Sequence, residues 1–415
     1  MPLSTRFPAL ASPDFRRLWP ANIFSAIGGQ MQMVALNWQI YELTHDALAL
    51  GAIGLVRVIP ILLFSLLGGS AADHYDRRKL LLMTQGSLTV IALVLGALSL
   101  SGGITPTAIY ALAALSAAVT AFNNPAYQAL IPSLVGRENL QNAVTLGTTG
   151  FQVATVIGPA LAGIVIGRYG IAWAYLINAV TFLAPLTVLA TLRYRPARTE
   201  ETSPPLNFLE SLREGIVFMR STPILLSTML LDFIATFFSS ASALLPIFAR
   251  DILHVGAEGF GLLSAAPAVG SSITAVTLAL LPPIRETGKT LILAVLLFGF
   301  ATIGFGLSTT FPAALFFLAL TGATDTVSTV IRQTVRQLVT PDRMRGRMIA
   351  IGMIFFMGGP QLGELEAGVV ARWFGAVASV VSGGILSVLG TLTVAANATE
   401  LRRFRLAEHP RPEER

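Results

Sequence analysis

Arg57, Asp232, Asp325, Glu364 and Glu366 stand inside long apolar runs of a 415-residue chain. An ionisable side chain at the centre of a bilayer costs about 2.5–3.5 kcal/mol on insertion scales, so each is expected to face a cavity, a partner or a proton-carrying task. A carboxylate in such a place can take up and release a proton. An arginine can pair with it or meet an anionic solute. Asp325 falls near the middle of its run, and it and Glu364 are the first candidates for proton uptake. Asp232 lies nearer one end, where a structural hydrogen bond to a neighbouring helix is an equal alternative. Glu366 is closer to the other face and can snorkel. Arg332 also lies within a run.

Amides form a second polar set. Gln30 and Asn37 are seven residues apart on one helical face, and Gln32 and Gln39 share a nearby face with the same spacing. Such groups can line a water-filled cavity or make interhelical hydrogen bonds. Asn123 and Gln152 invite the same two readings. Phe237, Phe238, Phe355 and Phe356 suit an apolar wall, lipid contact or packing.

The elements that position these groups follow from composition. Hydrophobic residues make up 53% of the chain and charged residues only 12%, against about 25% charged in ordinary soluble proteins. Roughly twelve apolar runs reach the length needed to cross about 30 Å of hydrocarbon as helices. The first six cover about 17–44, 47–72, 79–101, 106–132, 140–167 and 170–192; the second six cover about 223–249, 257–281, 288–308, 311–338, 347–373 and 376–399. The expected fold is therefore an all-α integral membrane protein with twelve transmembrane helices. There is no cysteine and the four histidines are scattered, so neither disulfides nor a histidine metal cluster is expected. No G-x-x-x-x-G-K-[ST] phosphate loop occurs, and no cofactor is implied.

The longest polar stretch, residues 193–222, divides the chain into halves at 1–192 and 223–400, with a tail at 401–415. Its later part, from Asn207 to Arg220, has Phe208, Leu212, Ile216 and Met219 on one side, the pattern of an interfacial amphipathic helix. Of 28 Lys and Arg residues, Arg57 and Arg332 lie within spans and Arg168, Arg250 and Arg372 follow odd-numbered ones. The other 23 fall in the termini, in loops after even-numbered spans, or in the span-end turns that border them. The positive-inside rule places both termini in the cytoplasm, as an even number of spans also requires. The net charge of +6 reads as topology signals facing anionic headgroups, with no nucleic-acid partner. "AGIVIGRYG" (162–170) matches "AGVVARWFG" (367–375) at six of nine positions by identity or conservative replacement, one near the end of each half. A parallel repeat of two six-helix halves explains that spacing.

Between spans two and three lies "GGSAADHYDRRKLLL" (68–82), with acids ahead of bases. Gly69, Asp73, Arg77 and Arg78 stand in register with G-x-x-x-D-R-x-G-R-R, the loop pattern of the major facilitator superfamily, which the chain resembles over nearly its whole length. His74 replaces the first arginine of that pattern and Asp76 its later glycine. The resemblance implies a gating loop. Gly69 would permit close helix approach, and Asp73 would latch onto the start of span eleven near Arg345 and Arg347. The alternative is a solvated hairpin that serves topology alone.

"GTTGFQVATVIGPALAG" (147–163) resembles the superfamily's exporter pattern at Gly150, Gly158, Pro159 and Gly163. "NNPAYQALIPSLVGRENLQNA", "TPDRMRGRM" and "ELRRFR" resemble its drug and siderophore exporter branch. The resemblance implies a secondary transporter of the bacterial cytoplasmic membrane, working as a monomer. It would export a hydrophobic or amphipathic small molecule, drug-, macrolide- or siderophore-like, by proton antiport with alternating access. A nutrient importer of the same fold, or a membrane sensor, is the alternative. An enzyme is disfavoured because no nucleophile or metal spacing occurs.

Overall fold

The structure, a computed structural model, describes residues 7–192, 208–282 and 284–405, apart from the side chains of residues 66, 73, 208–212, 342–343, 345–347, 349–351 and 353–357. Among the described residues all regular structure is helical. The first six spans are α1 (Pro13–Thr44), α2 (Ala47–His74), α3 (Arg77–Leu100), α4 (Pro106–Val135), α5 (Leu140–Tyr169) and α6 (Ile171–Thr191). After α7 (Phe208–Ser221) come α8 (Pro223–Phe238), α9 (Gly256–Leu280), α10 (Thr287–Gly306), α11 (Phe311–Val339), α12 (Asp342–Phe374) and α13 (Ala376–Asn397), then the short α14 (Thr399–Arg403).

Ten spans are apolar and long enough to cross a membrane. The other two long helices, α1 and α12, have 32 and 33 residues and carry more charge. Together these make the twelve expected spans.

Local chemistry sets the boundaries. Ser12 caps α1 through its side chain, with Pro13 in the first helical turn. Thr105 caps α4 in the same way, ahead of Pro106. Each cap satisfies a backbone N–H that the helix leaves orphaned, and proline there loses nothing because its missing N–H has no helical partner. Asp76, one of the departures from the family's loop pattern, caps α3: its Oδ1 accepts from the backbone N–H of Arg78 at 2.9 Å and of Lys79 at 3.3 Å. The repeat is visible in backbone geometry. Gly170 and Gly375, which end the two matching nonapeptides, have φ/ψ of 93°/162° and 89°/157°. That region is open essentially to glycine alone.

Span seven differs from the continuous helix expected over 223–249. Its helix stops at Phe238 and resumes as a 3-10 turn at Ala241–Leu244, ending in a π-helical stretch at Phe248–Ile252. Ser239, Ser240 and Ser242 are indifferent helix formers. Pro246 lacks an N–H, and its ring crowds the carbonyl of Ser242 four residues earlier, so the helix breaks here.

Two compact units are formed. One comprises residues 1–45, 55–201 and 254–265 and the other 46–54, 202–253 and 266–415. In the first, α1 packs against α5 and α6, and α3 against α4 and α6. Polar groups tie these helices together. The Asn178 Nδ2 donates to Gln32 Oε1 at 2.7 Å, the Tyr175 hydroxyl donates to Gln39 Oε1 at 2.8 Å, and Gln39 Nε2 donates to Ser99 Oγ at 2.9 Å. In the second, α10 packs against α11 and α13, and α8 against α12 and α13. Its core gathers Leu225, Leu231, Leu291, Val295, Ile331 and Val335. The amphipathic helix foreseen in the linker forms as α7, and Met219 is buried in that core with Ile216 packed against it. Phe208 and Leu212 lie outside the described side chains.

Candidate functional site: an arginine shared by two carboxylates

Two of the acids singled out above meet on one cation. Arg332 Nη1 lies 2.7 Å from Asp232 Oδ1, and Arg332 Nη2 lies 3.7 Å from Asp325 Oδ1. Asp325 and Arg332 are seven residues apart on α11, hence on one face two turns apart. Asp232 reaches them from α8. Arg332 Nη2 also donates to Thr329 Oγ1 at 2.9 Å, and Thr329 stands one turn from Asp325 on the same helix. One turn beyond Arg332, the Arg336 guanidinium lies over Gly352 of α12, where a β-carbon would strike it.

The two ion pairs are unequal. Arg332 and Asp232 have side-chain exposures of 11% and 16%, whereas that of Asp325 is 46%. The first pair is short and closed. The second is long, and its carboxylate is only half covered by neighbouring side chains. The cluster carries two acids and one arginine, so gain or loss of one proton at Asp325 changes its charge between neutral and negative. Arg332 was visible in sequence only as a base within a span. The cue was its seven-residue spacing from Asp325; the contribution of Asp232 from another helix had no sequence signal.

Glu364 belongs to a different cluster. It lies twelve residues after Gly352 on α12, about 18 Å along a helix axis. Its Oε1 accepts from Ser242 Oγ at 3.4 Å, at the break in span seven. A β-carbon on Gly54 of α2 would come within 2.6 Å of Glu364 Oε2 and 3.1 Å of Gln361 Oε1, so that glycine makes room for both. Nearby, Ser240 Oγ donates to the Pro360 carbonyl at 3.2 Å. Arg57 is half-buried one turn further along α2. Glu366 is half-buried on α12.

The amides separate by face. Gln32 and Gln39 are consumed by the packing bonds described above, through Asn178 and Tyr175, which the sequence reading did not single out. Gln30 and Asn37 remain half-buried on the neighbouring face. Asn123 joins α4 to α3, its Oδ1 accepting from Thr84 Oγ1 at 2.9 Å and Gln85 Nε2 at 3.3 Å. Gln152 is exposed on α5.

The exporter-like residues make close crossings. A β-carbon on Gly150 would meet Ile23 Cγ1 at 2.8 Å, one on Gly158 would meet the Gln30 Cβ at 2.5 Å, and one on Gly163 would meet the Gly261 Cα at 2.9 Å. Pro159 is buried beside them, its carbonyl facing Gly261. A second crossing of the same kind occurs in the other unit, where a β-carbon on Gly368 would meet Gly51 Cα at 3.0 Å. Gly163 and Gly368 occupy the same position in the two matching nonapeptides. Each crossing has an exposed ion pair nearby, Arg168–Glu258 at 3.3 Å and Arg372–Asp46 at 3.4 Å.

In the loop between spans two and three, Arg77 Nη1 donates to the Ala129 carbonyl of α4 at 3.0 Å, and Arg78 Nε donates to the Leu189 carbonyl of α6 at 2.7 Å. Arg78 Nη2 reaches the Ala190 carbonyl as well. These last two acceptors belong to the orphaned carbonyls at the end of α6. The crowded glycine is Gly68, whose β-carbon would enter the backbone of Ala121 and Phe122, whereas one on Gly69 would meet nothing within 4 Å. The expected close approach is thus displaced by one residue. The side chains of Asp73, Arg345 and Arg347 lie outside the described set.

Comparison with known proteins places this architecture. A family model of the major facilitator type, described as transmembrane secretion effector, matches residues 4–410. The chain belongs to this family. It is 30% identical over 398 residues to the enterobactin exporter EntS of Shigella boydii serotype 18, a match covering 95% of this chain and 94% of the relative. It is 31% identical over 398 residues to EntS of Citrobacter koseri, with the same coverage. A bacterial homologue of the human lysosomal transporter Spinster, in an inward-facing and occupied conformation, shares the fold at a TM-score of 0.73 and 13% identity, covering 94% of this chain and 97% of that one. A mutant of the peptide transporter POT does so at 0.72 and 12% identity, covering 94% and 95%. The protein is therefore a multi-pass membrane transporter of the major facilitator fold, not an enzyme.

Proposed function

We propose that this transporter exports a hydrophobic or amphipathic small molecule, siderophore- or drug-like, across the bacterial cytoplasmic membrane in exchange for protons. The observation that carries this reading is the half-exposed Asp325 beside the closed Asp232–Arg332 pair. A carboxylate so placed can bind either a proton or a hydrogen-bond-donating cargo, and mutual exclusion of the two is what antiport requires. Relatives named as enterobactin exporters support the direction and the cargo class. Glu364, facing the break in span seven, is a second polar group for coupling or cargo, and Arg57 on α2 is a separate candidate. Interrupted transmembrane helices often mark binding sites in secondary transporters. Gln30, Asn37 and Gln152 supply neutral hydrogen-bonding groups to the cargo path, whereas Asn123 is engaged between α3 and α4.

In this reading the linker at 193–222 joins two six-helix halves that rock to give alternating access, both termini are cytoplasmic, and the protein works as a monomer. The loop carrying Gly69, Asp73, Arg77 and Arg78 gates the cytoplasmic side, with its two arginines fixing it to α4 and α6.

The test is accumulation of enterobactin, erythromycin and Hoechst 33342 in efflux-deficient cells, with and without a protonophore. Wild type should lower accumulation of at least one compound, and the protonophore or Asp325→Asn should abolish that effect. Unchanged accumulation of all three, with the protein confirmed in the membrane, would count against export of this class.

A further inference from the structure

Resting on the proton-exchange reading above, we propose that Arg332 is a positioning residue that divides labour between two carboxylates. It stays committed to Asp232 as a permanent counter-ion and leaves Asp325 as the carboxylate that exchanges its proton. Geometry carries the assignment. The guanidinium holds Asp232 at 2.7 Å with both partners nearly sealed, but reaches Asp325 only at 3.7 Å through a nitrogen already donating to Thr329 at 2.9 Å. Breaking a closed pair leaves a buried charge uncompensated, whereas a half-exposed acid can trade its distant partner for water or a proton.

The surroundings leave little else to share the task. Asp325 is faced by Arg332, Thr329 and Asp232, and Arg336 adds its field at Asp232. Asp232 is the sole ionisable residue of α8, and Lys289, in the first turn, is the sole one of α10; residues 266–280 of α9 carry none. Of the described cations, those that act on Asp232 are Arg332 and Arg336. Thr329 accepts from Arg332 Nη2, so the arginine is held in place even when Asp325 is neutral. One exchanging carboxylate and one held carboxylate imply a single proton per cycle at this cluster.

Dicyclohexylcarbodiimide, which attacks protonated carboxyls from the apolar phase, tests this without any cargo. The full chain is reconstituted in liposomes, labelled, and read by mass spectrometry at the Asp232 and Asp325 peptides. In wild type Asp325 should be labelled at least about tenfold faster than Asp232, a difference of about 1.4 kcal/mol in activation free energy. Arg332→Gln should expose Asp232 to labelling at a rate comparable to that of Asp325, and Arg332→Lys should restore most of the protection. Asp325→Asn should leave Asp232 protected. Equal labelling of the two acids in wild type overturns the proposal even if no variant folds. So does continued protection of Asp232 in Arg332→Gln, because low accessibility alone would then account for it. Efflux that survives Asp325→Asn would instead sink the proton-exchange reading, leaving the labelling pattern to judge Arg332 separately.

Discussion

Neutralising the two acids of the cluster one at a time should have very different effects on stability. At an effective dielectric constant near 20, the 2.7 Å contact between Arg332 and Asp232 corresponds to a gross attraction of about 6 kcal/mol, and the 3.7 Å contact to Asp325 to about 4.5 kcal/mol. These gross values are close, and burial separates them. The Asp325 side chain is 46% exposed, and water in that opening would screen its pair toward the surface range of about 0–1 kcal/mol. Asp232 and Arg332 at 16% and 11% have no such relief, and removing one member of a buried pair costs about 3–5 kcal/mol.

Asp232→Asn should therefore lower the thermal midpoint of the detergent-solubilised protein far more than Asp325→Asn. The double variant Asp232→Asn/Arg332→Gln, which leaves two neutral hydrogen-bonding groups face to face, should recover most of the loss. Residues in one ion-pair network are expected to couple by about 0.5–3 kcal/mol, so recovery of that size is the signature sought. The assay is the folded fraction recovered by size exclusion after heating across a temperature series. Equal midpoints for Asp232→Asn and Asp325→Asn would refute the reasoning from burial. A double variant as unstable as the sum of its parts would refute the pairing.

Other expectations concern the crossings and the loop. Gly163→Leu and Gly368→Leu should each reduce the yield of folded protein sharply, because a side chain there meets another helix's backbone within about 3 Å, while Gly147→Ala, with nothing within 4 Å, should be silent in the same expression assay. Arg78→Ala should shift the thermal midpoint down by the equivalent of about 1–3 kcal/mol, since two carbonyls at the end of α6 lose a charged donor. Asp73→Asn should slow turnover more than it weakens cargo binding, measured by comparing efflux rate with equilibrium binding of whichever panel compound is exported; equal loss of both, at normal expression, would argue against a latch. Asp46→Asn and Glu258→Gln, each in an exposed pair, should move the midpoint by less than about 1 kcal/mol equivalent.

Composition and periodicity by themselves determined the solvent, the number of spans and the repeat. A helix in hydrocarbon must satisfy its own backbone, so apolar length translates almost directly into a span. The match between "AGIVIGRYG" and "AGVVARWFG" showed the repeat, and the structure adds that both end in a glycine with the same rare backbone angles. Sequence could also name Asp232 and Asp325 as ions out of place, because the cost of burying charge is local. What it left open was which partner each ion has. Arg332 is separated from Asp232 by exactly 100 positions in the chain, and their meeting depends on how α8 and α11 pack, a matter of whole-helix shape. The same holds for Gln32 and Gln39, whose partners Asn178 and Tyr175 come from α6. The break in span seven was written locally, in three serines before Pro246, yet hydropathy averages over such a defect. Only the tertiary structure decided which polar groups are closed into packing and which, like Asp325, stay half-exposed, because exposure belongs to the assembled helices and not to any one of them.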